Sequence, residues 1–109
     1  MGSYHSSHST NDYELVIKSS KELEYYLELE FKASGKGLHE KISSVESALP
    51  SHIVKKMRFL ATVRNKLIHE RGFDAIPDRD KFISAFEASK LELANIAKAR
   101  NSNSSCAIS

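Results

Sequence analysis

Apolar residues recur at helical spacing in four stretches of this 109-residue chain, and Gly, Pro and Ser separate the stretches. Apolar side chains three or four positions apart lie on one face of an α-helix, and this face packs against a core. The four stripes are Val16, Leu23, Leu27 and Phe31 with Tyr26; Leu38, Ile42, Val45 and Leu49; Ile53, Met57, Leu60, Leu67 and Ile68; and Phe82, Phe86, Ser89, Leu93 and Ile96.

Capping residues and helix breakers predict the ends of these helices. The predicted boundaries are Asn11 or Asp12 and the segment 34–37 for the first helix, Pro50 for the end of the second, Ser51 and Gly72 for the third, and Pro77 or Asp78 for the start of the fourth. Four amphipathic helices joined by short turns predict an all-α fold, an antiparallel four-helix bundle. Residues 1–10 are predicted to be a flexible arm, 11–100 the bundle, and 101–109 a disordered Ser/Asn tail.

Composition narrows the class of protein. No apolar run approaches the roughly 20 residues that span a bilayer, and the start of the chain lacks a secretory-signal pattern. The single cysteine, Cys106, excludes an intrachain disulfide, so we expect a cytoplasmic protein without a membrane partner. The ends Met1–Ser6 and Cys106–Ser109 fit short lipidation patterns that often arise by chance. His5 and His8 are too few and too loosely held to predict a metal site.

Charge is distributed unevenly along the chain. Residues 11–49 carry five Lys against eight Asp or Glu, whereas residues 51–72 carry six Lys or Arg against Glu70 alone. A local positive field attracts polyanions even when the net charge is only +2. The alternative is a solvated basic face that pairs with the acidic first helix.

The third helix contains a short run of side chains that are suited to binding or catalysis, Arg64-Asn65-Lys66-Leu67-Ile68-His69. Arginine offers a planar set of donors to phosphate oxygens, and histidine exchanges a proton near neutral pH. Asn65 and His69 lie one helical turn apart, whereas Arg64 and His69 diverge by about 140°. Arg64 occupies a position in the apolar stripe, where an unpaired guanidinium is costly.

Two interpretations of this run remain open. In the structural one, Arg64 pairs with a glutamate of the first helix, Asn65 bridges helices, and the helix dipole stabilises protonated His69. In the functional one, the three side chains cleave RNA with the ribose 2′-hydroxyl as internal nucleophile. That chemistry requires no metal, and no Cys/His or carboxylate pattern near the run predicts a metal or another cofactor.

The segment 63–72, V-R-N-K-L-I-H-E-R-G, resembles the third-helix motif of the HEPN superfamily, small helical domains that include metal-independent RNases. The resemblance implies a homodimer in which Arg64 binds phosphate, Asn65 positions the substrate and His69 transfers a proton in a cleft between protomers. It also implies an endoribonuclease that leaves 2′,3′-cyclic phosphate ends, in a toxin, phage-defence or RNA-processing setting. Further RNA contacts are predicted for Lys55, Lys56, Arg58, Lys66 and Arg71.

The resemblance is also compatible with a second class of function. Some proteins of this superfamily are inactive and act as adaptors or antitoxin partners. The alternative is therefore a non-catalytic interaction module that binds a protein or nucleic-acid partner, such as a cognate antitoxin. Whether the chain is an enzyme depends on the arrangement of Arg64, Asn65 and His69.

Overall fold

Four α-helices form the part of the chain that the computed structural model describes, which is the backbone of residues 11–108 and the side chains of residues 11–101. The helices are α1 (Asp12–Phe31), α2 (Leu38–Val45), α3 (Ser51–His69) and α4 (Arg79–Ile108), and a single 3-10 turn, Glu46–Ala48, follows α2. Residues 11–108 contain no strand. The predicted all-α class and helical bundle are confirmed, whereas the arm of residues 1–10, with His5 and His8, lies outside the described residues.

The third helix packs against each of the other three helices, as α1 also does. Its buried side chains accordingly extend beyond the predicted stripe to Val54, Ala61 and Val63. Most predicted apolar positions of the other helices are buried as well, and Phe82, Leu23 and Ile42 are among the largest side chains removed from solvent. Ile68 was wrongly placed in the core: it is 37% exposed, because the buried stripe ends at Leu67.

Two predicted helix starts are confirmed by side-chain caps. The carboxamide of Asn11 accepts a 3.0 Å hydrogen bond from the backbone N–H of Glu14 at the start of α1. The carboxylate of Asp78 accepts one of 3.0 Å from the backbone N–H of Lys81 at the start of α4. Such caps satisfy donors that have no partner within the first helical turn.

Other predicted boundaries differ from the structure. The left-handed residue that ends α1 is Lys32, with φ 60°, three residues before Gly35. Pro50, rather than Ser51, occupies the capping position of α3, since its fixed φ suits the extended cap and Ser51 is already helical. Helix α3 ends at His69, so that Gly72 lies in the following turn with φ 87°.

The last helix extends to Ile108, through residues predicted to form a disordered tail. The prediction relied on the modest helix propensity of Ser and Asn. However, residues 101–108 contain neither Gly nor Pro that would end a helix. The backbone therefore continues in the conformation of α4 beyond the predicted end near residue 100.

A buried lysine joins α1 to α2. Lys41 is only 6% exposed, and its ammonium group lies 3.2 Å from a carboxylate oxygen of Glu28 and 3.5 Å from one of Glu24. It also donates a 2.8 Å hydrogen bond to the carbonyl of Gly35. Burial by itself lowers the pKa of Lys41, but the hydrogen bonds and charges of the two glutamates outweigh it, so the pKa is raised above 10.5. Two glutamates of α1, Glu24 and Glu28, are thus paired with α2.

Candidate functional site

One face of α3 carries four polar residues, two that precede the motif and two that belong to it. Arg58, Thr62, Asn65 and His69 are spaced four, three and four positions apart, which places them on the same side of the helix. This face borders α2, because Arg58 and Thr62 both contact the ring of His39. The helical register thus gives Asn65 and His69 a common side, as predicted.

The guanidinium of Arg64 reaches this face from the core side of α3. Its Nη1 donates a 3.0 Å hydrogen bond to Oδ1 of Asn65. Its Nε is removed from solvent and has no hydrogen-bond partner in residues 11–101. A buried donor without a partner costs about 1–3 kcal/mol, so Arg64 retains a donor that a suitable acceptor would satisfy.

No carboxylate within residues 11–101 forms an ion pair with Arg64. The acidic residues of α1 nearest to α2, Glu24 and Glu28, instead pair with Lys41. The structural interpretation in which a glutamate of the first helix neutralises Arg64 is therefore not realised in this part of the chain.

A pocket of about 190 Å³ opens between α3 and the start of α2. It is lined by Gly37, Leu38, His39, Glu40, Ala61, Arg64 and Asn65. Arg64 and Asn65 thus line one pocket within a single chain, and the histidine in its wall is His39 of α2 rather than His69. The carboxylate of Glu40 is tied to the preceding loop, since its Oε1 accepts a 2.9 Å hydrogen bond from the backbone N–H of Lys36.

The ring of His39 is held between two side chains of α3. Its Nδ1 lies 3.3 Å from Nη1 of Arg58, and its Nε2 lies 3.5 Å from Oγ1 of Thr62. A guanidinium can only donate, so Nδ1 accepts and the proton of the neutral ring resides on Nε2. Burial, followed by the positive charge of Arg58, lowers the pKa of His39 below 6.5. His39 is therefore a neutral donor at physiological pH.

Arg58 was predicted to contact RNA, but its guanidinium is engaged by α2. Besides the contact with His39, Nη2 donates a 2.9 Å hydrogen bond to Ser43 and one of 3.0 Å to Glu46. These contacts connect α3 to α2 and the turn after it. Arg58 thus orients His39 and is less available to a polyanion than an unpaired arginine would be.

Two of the predicted RNA-binding lysines line a separate groove. Lys55 and Lys56 lie with His52 and Phe59 on the side of α3 that faces α4, and Lys81 completes the groove from α4. The ammonium group of Lys81 lies 4.9 Å from the centre of the Phe59 ring. In helical register Lys55 and Arg64 point in opposite directions. The predicted basic surface is therefore divided between two sides of α3.

The remaining predicted residues lie near the end of α3. Lys66 is exposed, with its ammonium group 5.8 Å from the centre of the Phe73 ring, and Arg71 is exposed in the turn that follows. His69 is exposed as well, and its ring forms no hydrogen bond or ion pair with residues 11–101. Within one chain, His69 is one turn along the helix from Asn65 but does not line the Arg64 pocket.

Sequence reasoning missed His39 because it lies on the polar side of a short helix, where histidine is unremarkable. The sequence feature that could have indicated it is the register of Arg58, Thr62, Asn65 and His69. This register predicts a polar face of α3 that a neighbouring helix can contact. Which residue of α2 meets that face depends on the angle between the helices, and no local pattern specifies that angle.

Within the described residues, no group of three or more His, Cys, Asp or Glu side chains is arranged to hold a metal ion. The described helices also include none with the length and apolar character needed to cross a membrane. Comparison of the chain with protein-family models, with characterised proteins and with solved structures finds no match in any of the three.

Proposed function

We propose that this chain is a HEPN-type, metal-independent endoribonuclease that acts in the cytoplasm as a homodimer of antiparallel four-helix bundles. The observation that carries the proposal is the buried, unpaired Nε of Arg64 beside Asn65 in the pocket at α2. Arginine in such a position is suited to bind a phosphate and to stabilise the charge that develops on it during cleavage. The motif 63–72 supports the family assignment.

In the proposed reaction, a ribose 2′-oxygen attacks the adjacent phosphorus and the bond from phosphorus to the 5′-oxygen breaks. The products are a 2′,3′-cyclic phosphate and a free 5′-hydroxyl group. Arg64 and Asn65 hold the non-bridging oxygens. The 2′-hydroxyl loses a proton as its oxygen attacks and the leaving 5′-oxygen gains one, and His69 transfers the proton in one of these two steps. Because His69 does not line the pocket of its own chain, we propose that a second protomer supplies it.

The position of His69 also favours the alternative. A histidine that is exposed and unpaired in residues 11–101 would equally suit a contact with a partner protein. In that case the chain is a non-catalytic HEPN-like module, for example an adaptor or an antitoxin partner. A toxin, phage-defence or RNA-processing role is proposed only for the ribonuclease, not for the non-catalytic module.

The first test is an RNase assay on purified protein with EDTA present, using total tRNA and a structured RNA. We expect cleavage that leaves 2′,3′-cyclic phosphate ends and falls at least 100-fold in Arg64→Ala and His69→Ala. Asn95→Ala is the control, since Asn95 is exposed on α4 and lines neither the Arg64 pocket nor the groove of Lys55 and Lys81. No cleavage by a folded, dimeric wild type would favour the interaction module.

Mixing the two inactive variants tests the shared site. If each site combines Arg64 of one protomer with His69 of the other, a heterodimer of Arg64→Ala and His69→Ala chains contains one intact site. We expect activity to return to a substantial fraction of the wild-type value after subunit exchange. Two inactive variants that remain inactive in a verified heterodimer would contradict the arrangement across the dimer.

A further inference from the structure

We infer that His39 is a phosphate-binding residue, and that it completes with Arg64 and Asn65 a phosphoryl-oxygen site built within a single chain. The inference deepens the function proposed above by adding a residue of α2 to the site. Its test uses no RNA, so failure of cleavage and failure of this site are separate results.

The first argument is the supply of hydrogen-bond donors in the pocket. Oδ1 of Asn65 accepts from Arg64, which leaves the amide NH₂ of Asn65 to donate. The Nε–H of Arg64 has no partner in residues 11–101. With the ring N–H of His39, three side chains that line one pocket offer donors. A phosphoryl group, which presents several acceptor oxygens, fits this set.

The second argument concerns the ring of His39. Arg58 donates to Nδ1, so the ring proton is on Nε2. Its partner on α3, Oγ1 of Thr62, lies at 3.5 Å, which is long for a hydrogen bond. A stronger acceptor that approaches Nε2 can therefore replace Thr62 without loss of a good hydrogen bond. Arg58 is a positioning residue here, because it fixes the tautomer and does not itself line the pocket.

The pocket also contains one carboxylate, that of Glu40. A hydrogen bond from the backbone N–H of Lys36 holds its Oε1 toward the loop before α2. The remaining negative charge opposes an anion and limits the affinity for free phosphate. A site of this kind selects a ligand that brings further contacts, as an RNA chain does.

The test is an NMR titration of ¹⁵N-labelled protein with inorganic phosphate at pH 7.5, in which the side-chain Nε–H signal of Arg64 is monitored. Sodium chloride at equal ionic strength is the reference. We expect a saturable shift of this signal in the wild type. We also expect at least a tenfold weaker phosphate affinity in His39→Ala, about 1.4 kcal/mol, because a hydrogen bond to a charged group is lost. Asn95→Ala, on the exposed side of α4, should bind phosphate as the wild type does.

A conservative pair of variants separates binding from folding. His39→Gln retains a side-chain donor and should bind more tightly than His39→Ala if the donor matters. In Arg58→Gln, the ring ¹⁵N shifts of His39 should lose the signature of a single Nε2–H tautomer. Phosphate affinity unchanged in both folded His39 variants, or lost in His69→Ala instead, would overturn the inference. So would an Arg64 signal that does not respond to phosphate.

Discussion

The side chains of Arg64 and Asn65 are joined by a 3.0 Å hydrogen bond from Nη1 to Oδ1. Consecutive residues on a helix diverge by about 100° and do not ordinarily face each other. The contact arises because Arg64 leaves α3 on its core side and its guanidinium turns toward the face that bears Asn65. This hydrogen bond fixes the orientation of both groups. The side-chain carbonyl of Asn65 accepts from Arg64, and its NH₂ remains available as a donor.

Asn65→Asp tests this relationship. The aspartate would pair with Arg64, remove the NH₂ donor and add a negative charge to the pocket. We expect at least a tenfold loss of phosphate affinity together with equal or higher thermal stability, because the partly buried guanidinium gains a countercharge. Calorimetric melting and the phosphate titration together measure this. Unchanged phosphate affinity in a folded Asn65→Asp protein would contradict the donor role of Asn65.

The lowered pKa of His39 predicts a pH dependence of stability. In the unfolded chain the ring takes up a proton near pH 6.5, whereas in the folded chain burial and Arg58 lower its pKa. As pH falls through 6.5, the unfolded state therefore binds more protons and the free energy of unfolding decreases. We expect the free energy of unfolding, measured with urea, to decrease less between pH 7.5 and pH 5.5 in His39→Gln than in the wild type. Equal decreases in the two proteins would show that His39 does not contribute.

Lys41 provides a test of the α1–α2 connection. Lys41→Met keeps much of the side-chain volume but leaves Glu24, Glu28 and the carbonyl of Gly35 without their shared donor. We expect the free energy of unfolding to fall by about 1–3 kcal/mol. Lys18→Met is the matched control, because Lys18 makes an exposed pair with Glu14 and such pairs contribute about 0–1 kcal/mol. Similar decreases in the two variants would contradict a special role for Lys41.

The two glycines before α2 should respond differently to alanine. Gly35 has φ 135°, and a Cβ there would lie 2.5 Å from Cβ of Glu40, whereas a Cβ on Gly37 would meet nothing within 4 Å. Strain of this kind costs on the order of 1–3 kcal/mol, so Gly35→Ala should lower the melting temperature clearly and Gly37→Ala only slightly. Equal melting temperatures would show that the loop adjusts without cost.

The groove between α3 and α4 predicts a second contribution to RNA affinity. Lys55→Ala combined with Lys81→Ala removes two charges from the groove walls. We expect weaker binding of a labelled single-stranded RNA, and a salt dependence whose slope decreases by about 0.7 for each phosphate that is no longer neutralised. Lys21→Ala with Lys98→Ala, both exposed elsewhere, controls for total charge. Fluorescence anisotropy at several salt concentrations distinguishes the two double variants, and equal slopes in them would exclude the groove as an RNA contact.

Local patterns were sufficient for most of the secondary structure. The four helices, the cap at Asn11 and the cap at Asp78 were predicted because apolar periodicity and capping act within a few residues. The errors arose where two local rules competed. At the end of α1 a lysine adopts the left-handed conformation before the glycines do, and before α3 the proline occupies the cap in place of Ser51.

The sequence by itself determined that α3 carries a polar face and an arginine in its apolar stripe, since helical register follows from spacing alone. Only the tertiary structure decided what meets them. The packing of α2 on α3 brings His39 to Arg58 and makes the pocket at Arg64. The packing of α1 on α2 pairs Glu24 and Glu28 of α1 with Lys41 rather than with Arg64. These pairings depend on the angle and offset between helices, which the packing of the whole core fixes.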